Sequence, residues 1–187
     1  EDPLVVAAGE TDDRSLVAGR VGRRLEFAVA GYQGAHAGDG TLDLAASVKA
    51  AAGEAWTCGL SWSQDLGEAT ELREVAADRG APGSSGVAVD ALSGFVAYEG
   101  AAWSLWLEGV GALEDFEAGY LDAEPLRPWA WNLECGLRVS ERWEVASRLE
   151  AAGELPDAPG WQAGLASIWE LNENVVVSVD YLHGDPG

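Results

Sequence analysis

The chain has no methionine, two cysteines, two histidines, seven prolines and only 11 basic side chains against 32 acidic ones. Each shortage closes a class. At a formal net charge of −21, the Lys and Arg needed to neutralise phosphates are missing, so no nucleic acid is expected as a partner. His36 in a Gly-rich stretch and His183 near the end of the chain stand in no metal-ligand spacing with Cys or carboxylates, so no metal and no cofactor is expected. No Gly-rich phosphate loop, nucleophile elbow or Walker pattern occurs, so no catalytic residue is assigned and an enzyme is not expected. Cys58 and Cys135 fall on strands that are not neighbours in the chain order, and they read as small hydrophobes, not as a disulfide. No apolar run approaches the roughly 18 residues of a membrane helix. A signal peptide is also absent, which reads as a chain that begins after processing or in mid-sequence.

What is present is a series of five β-hairpins whose connections alternate in length. The short ones are Gly22-Arg23-Arg24, Ala52-Gly53-Glu54, Glu99-Gly100-Ala101, Ser140-Glu141-Arg142 and Asn172-Glu173-Asn174. The long ones span 34–40, 67–86, 114–128 and 153–160. A soluble sandwich has no reason to keep its long loops at one end, whereas a transmembrane barrel has tight periplasmic turns and longer outer loops.

The strands carry the matching period of two. Trp129, Trp131, Leu133, Cys135, Leu137 and Val139 alternate with Ala130, Asn132, Glu134, Gly136, Arg138 and Ser140. The next strand sets Trp143, Val145 and Leu149 against Glu144, Ala146, Arg148 and Glu150. Leu25, Phe27 and Val29 oppose Glu26, Ala28 and Ala30, and Leu42 to Val48 repeats the pattern against Asp43 to Lys49. Such alternation marks strands with one apolar and one polar face. The segment 87–98 alternates less cleanly and its faces stay open. Most strands run about ten to twelve residues, the length of a tilted membrane strand.

Tryptophan placement adds a second regularity. With short turns drawn downward, Trp56, Trp103, Trp143 and Trp169 lie just above them, and Trp62, Trp129, Trp131 and Trp161 lie near the long loops. Eight of the nine tryptophans thus form two belts on the apolar face, and only Trp106 points the other way. Indole rings favour membrane interfaces, which makes these eight the membrane-interface candidates. The alternative, core tryptophans of a sandwich, gives no reason for sorting to strand ends.

The polar face supplies the pore-lining candidates: Glu26, Asp43, Lys49, Glu108, Glu134, Arg138, Glu144, Arg148, Glu150, Glu170 and Asp180. Carboxylates outnumber bases there, which favours cations. Further acid clusters at 1–13, 68–78 and 114–124 read either as a negative vestibule or as an ordinary solvated surface of a salt-loving protein. The stretch 68–78 has a short helical pattern, with Leu72, Val75 and Ala76 on one side. It suits either a constriction in the pore or a cap on the rim.

The expected fold is therefore all-β: an antiparallel up-and-down transmembrane meander of about ten strands in a single domain, 1–187, with outward-facing Leu133, Leu137, Val145, Leu149 and Leu165. Residues 1–13 would lie outside before the first strand, and the last strand would also end outside. Intact bacterial barrels keep both termini in the periplasm. The chain is thus expected to lack strands at each end of a parent barrel of twelve or more.

Several pieces carry a resemblance. Asp2-Pro3-Leu4 followed by Gly9-Glu10-Thr11, the stretch 110–119 (VGALEDFEAG), Ala130-Trp131-Asn132-Leu133-Glu134 and Val179-Asp180-Tyr181-Leu182-His183 resemble the LbtU-type siderophore porins. The likeness implies an outer-membrane β-barrel with a role in iron–siderophore uptake; it carries over no ligand residues. The expected function is an outer-membrane porin passing small solutes by diffusion through a charged lumen. Its partners would be the lipid bilayer and small solutes, a ferric siderophore among them, and a homo-oligomer or larger membrane assembly stays open. Two rivals remain: a structural or accessory barrel with a blocked lumen, and a soluble barrel binding an apolar ligand, with the faces reversed.

Overall fold

The computed structural model describes residues 4–11, 14–21, 24–32, 43–68, 70–79, 88–156, 158–173 and 175–185. They form one sheet of eleven strands: β1 (Leu4–Thr11), β2 (Arg14–Val21), β3 (Leu25–Tyr32), β4 (Asp43–Ala52), β5 (Trp56–Ser63), β6 (Ala91–Glu99), β7 (Trp103–Ala112), β8 (Trp129–Ser140), β9 (Trp143–Gly153), β10 (Trp161–Asn172) and β11 (Val175–Gly184). Sheet order equals chain order, so the fold is an all-β antiparallel meander. Among the described residues β1 pairs only with β2, and β11 only with β10.

Among the described residues the strand count is eleven, one more than the hairpin pattern predicts. Residues 1–13 are not a segment that precedes the first strand, because Leu4–Thr11 forms β1 and pairs with β2 along its whole length. Its sequence alternates poorly, since Leu4 to Gly9 is an unbroken run of apolar and small residues. Pairing with β2 therefore defines this strand better than its own pattern does. The two-residue connection after β1 also breaks the rule that every loop at that end is long. The loop 34–40, with His36, lies outside the described residues.

Two bulges adjust the remaining strands. Register shifts between Arg138 and Ser140 opposite β9, so Val139 leaves the alternation expected of it. A second shift lies between Glu170 and Asn172 opposite β11. Both sit beside short turns, where a bulge tightens the twist without disturbing the middle of the ladder. In the β4–β5 turn Gly53 has φ 73, a left-handed conformation that glycine adopts without a Cβ penalty.

The hydrophobic core does not lie under the sheet. It is a small cluster at the long-loop end, formed by Leu72 and Ala76 of helix α1 (Thr70–Asp78) with Val89, Ala112, Phe116, Tyr120 and Leu121. Phe116 and Tyr120 stack at 5.5 Å. Arg79 Nη1 donates to the Leu121 carbonyl at 3.2 Å and pairs with Asp122 at 3.9 Å, tying the helix to the β7–β8 connection. The helix expected at 68–78 is thus present, with its apolar side buried against this loop. No helix is long and apolar enough to cross a membrane among the described residues.

Candidate functional site

Register carries face identity from strand to strand. Glu26 faces Lys49, Glu108 faces Asn132, Glu134 faces Trp106 and Arg148, Arg138 faces Glu144, and Glu150 faces Asn132 and Gln162. Asp43 faces Tyr32, Glu170 faces Val176, and Asp180 faces Ala166. Followed through the ladders, all eleven pore-lining candidates fall on one face. All eight interface candidates fall on the other: Trp56 opposite Ala52 and Tyr98, Trp62 opposite Ala46 and Leu92, and Trp103 opposite Leu137. On that same face Trp129 meets Gly111 and Gly153, Trp131 and Trp161 both meet Ala151, and Trp143 meets Trp169. Sorting of this kind follows from the pleat, since a single-residue slip would exchange the faces.

The polar face is concave. One cavity of about 570 Å³ is lined from Ala97 and Trp106 through Glu134, Glu144 and Arg148 to Asp180. These residues span six consecutive strands; the apolar face also has a cavity, about 550 Å³ beside Val48, Leu60, Val96 and Leu107, but its side chains are the more exposed, as on the outer side of a curled sheet. A second cavity, about 390 Å³, lies nearer the long loops beside Phe95, Glu108, Asn132, Glu150 and Pro159. The cap is rooted on this same side, because Ala112 in its core faces Ala91.

The convex face is apolar and uncovered. Leu60, Leu107, Leu137, Leu165, Val179 and Tyr181 are each more than 40 % exposed, and most exposed large hydrophobics of the molecule share this side. Cys58 and Cys135 also lie on it, both free. At the short-turn end Trp56, Tyr98 and Trp103 form a ring series, with centroids 4.9 and 4.0 Å apart, and Trp143 stacks on Trp169 at 6.3 Å. At the other end Trp161 meets His183 edge-on at 5.8 Å, and Trp62 Nε1 donates to Asp90 Oδ2 at 3.1 Å. Trp161 and Trp169 stand eight residues apart on β10, about 26 Å along the strand at about 3.3 Å per residue.

The belts drift against the ladder in a regular way. Tyr98 pairs with Leu105, so Trp103 sits two residues nearer the short turns; Leu137 pairs with Val145, so Trp143 sits two nearer again.

On the polar face Arg148 bridges two carboxylates, contacting Glu150 closely and Glu134 at 3.8 Å. Asn132 Nδ2 donates to Glu134 Oε1 at 3.1 Å, and Trp106 Nε1 donates to Glu108 Oε2 at 2.9 Å. Arg138 Nη1 donates to the Ala101 carbonyl at 3.2 Å. These pairs are solvated, so each contributes at most about 1 kcal/mol, and the face is held by the sheet, not by its charges.

Four members escape a reading of the sequence alone. Arg20 faces Glu26 and adds a base to the polar side. Phe95 belongs to the polar face and Tyr98 to the apolar one, which fixes the faces of β6 within the irregular segment 87–98. His183 closes on Trp161. Their common signal is register with a neighbouring strand. Among the described residues no group of three or more His, Cys, Asp or Glu is arranged to hold a metal ion. No protein-family model and no curated protein matches the chain.

Proposed function

We propose that the protein is an outer-membrane β-barrel in which the convex face meets lipid and the concave face lines a path for small solutes. The observation that carries this reading is the pairing of an uncovered apolar convex face with a charged concave one. Soluble monomers rarely expose contiguous apolar patches beyond a few hundred Å², and here the patch runs along strand after strand, edged by indole rings. Lipid satisfies such a surface; water does not. A soluble barrel for apolar ligands requires the reverse, apolar side chains inside.

Sheet edges cannot stand open in lipid. The outer edges of β1 and β11 are therefore to be covered by each other, by further strands or by a second copy of the chain. The chemistry of the path is electrostatic: carboxylates in excess over bases raise local cation concentration. Iron–siderophore uptake, suggested by the motif pieces alone, remains a proposal about cargo within this reading. The cap of α1 and the β7–β8 loop, rooted on the concave side, favours one alternative, an accessory barrel whose lumen is blocked.

The test is reconstitution. Mixed with phospholipid vesicles after detergent extraction, the protein is expected to float with the lipid and to give discrete conductance steps in planar bilayers. Flotation without conductance points to the accessory barrel. Protein that stays in the aqueous fraction without detergent contradicts the membrane reading altogether.

A further inference from the structure

We propose that mid-height on the concave face is a binding subsite for an organic cation with an aromatic or apolar body; this rests on the pore reading above and names its substrate class. The starting point is Trp106, the tryptophan that the belts do not use. It lies on the polar face opposite Ala97 and Glu134, and it is 40 % exposed. An interface role gives no reason for an indole there.

The ring is held in place. Phe95 stacks parallel to it, with centroids 5.1 Å apart and planes 6° apart. Phe95 in turn lies over Gly59, its register partner, where a Cβ would stand 2.3 Å from the ring. Any larger residue at 59 would expel the phenyl ring, so the glycine makes room for the pair. The indole N–H donates to Glu108 Oε2 at 2.9 Å, which fixes its rotation. A tryptophan positioned by a stacked neighbour and a hydrogen bond is a preorganised surface.

The surrounding charge selects the ligand. Glu108, Glu134 and Glu150 gather around the rings, with Arg148 the base that bridges the last two. Three carboxylates against this one guanidinium leave the row negative. A cation over the indole face within about 6 Å gains from the ring quadrupole, with Trp the best of the aromatic side chains, and the carboxylates add direct attraction. A neutral sugar can stack but leaves the charge unanswered; an anion is repelled. The location suits a selective step, since Phe95, Glu108 and Glu150 line the cavity on the long-loop side while Trp106, Glu134 and Arg148 line the other. Each volume, about 390 and 570 Å³, lies within the usual range for small-molecule sites.

The probe is benzyltrimethylammonium, with tetramethylammonium, benzoate and maltotriose as controls. Two readouts use the full chain: interruption of potassium current in planar bilayers, and calorimetric binding in detergent micelles. Benzyltrimethylammonium is expected to bind and block at least tenfold better than any control. Trp106→Ala should weaken it tenfold or more and Glu108→Gln several-fold, while Trp106→Phe, which keeps a ring, should retain part of the binding and serves if the alanine variant fails to fold. Equal block in wild type and both Trp106 variants, or maltotriose or benzoate binding as well as the cation, overturns the subsite. Conductance without cation binding removes the subsite and leaves the pore; cation binding without conductance removes the pore and leaves the subsite.

Discussion

Leu107→Arg is expected to lower the stability of the membrane-inserted protein by about 2–4 kcal/mol, while Leu137→Arg should cost no more than about 1 kcal/mol. Both leucines lie on the convex face, with 43 % and 53 % exposure. Their depths differ. Leu107 pairs with Val96 and Leu133, midway along β7 between Trp103 and Gly111, and the latter faces Trp129. Leu137 pairs with Trp103 and Val145, in the row of the lower belt. Read from the length of β8 alone, Leu137 falls near mid-membrane; under the proposed orientation its pairing with Trp103 brings it to the interface. A guanidinium at mid-depth meets hydrocarbon, whereas at the belt it reaches headgroups and water. Denaturant-controlled refolding into vesicles measures both values. On a water-facing surface neither change would exceed about 0.5 kcal/mol, so two small, equal effects would count against lipid contact.

The second large effect is on ion selectivity. The protein is expected to pass cations in preference to anions, and Glu134→Gln with Glu144→Gln should reduce that preference. Among the pore-lining candidates Glu26, Asp43, Glu108, Glu134, Glu144, Glu150, Glu170 and Asp180 stand against Lys49, Arg138 and Arg148, with Arg20 as a further base. Glu134 faces Arg148 and Glu144 faces Arg138. Neutralising both acids therefore removes two negative charges and leaves two guanidinium groups without their opposite carboxylates. Reversal potential across a potassium chloride gradient reads the change. The preference should fade as salt rises, because the Debye length falls from about 10 Å at 0.1 M to about 3 Å at 1 M. Both acids lie off the convex face, Glu134 in a solvated pair with Arg148 and Glu144 as the register partner of Arg138, so the fold should hold within about 1 kcal/mol per site. Anion preference in the unaltered protein would contradict the electrostatic account; absence of conductance would favour the blocked barrel.

How much of this was legible in the residues depends on the range of the interaction. Alternation in β8 and β9 is strong because Trp, Leu and Val occupy one face while Glu and Arg occupy the other, so pairing merely repeats what each strand already states. Indole spacing from the turns is equally local, so the sorting of eight indoles to one face and toward strand ends was legible for that reason. Strand β1 was not, since small and apolar residues run through it without alternating with polar ones. Strand β6 was ambiguous because Gly94 weakens the apolar side and Phe95 enriches the polar one. The ring of Phe95 is explained only by Gly59 on the neighbouring strand and Trp106 on the next, contacts 36 and 11 residues away. Helix α1 was readable from Leu72, Val75 and Ala76, but its partners Phe116, Tyr120 and Leu121 come from a loop with no periodicity of its own. Siderophore cargo was read from the motif pieces alone, and no constellation of side chains among the described residues corresponds to it.

The central claim is the direction of the two faces, and spin-label accessibility along β9 tests it most directly. In a background with Cys58 and Cys135 replaced by serine, single cysteines at positions 146 to 150 would carry nitroxides in vesicle-reconstituted protein. The account predicts period-two alternation: labels at 147 and 149 relax with lipid-dissolved oxygen, and labels at 146, 148 and 150 relax with a water-soluble nickel chelate. The opposite phase, with 147 and 149 open to the chelate and 148 and 150 to oxygen, would contradict it, as would the absence of any alternation.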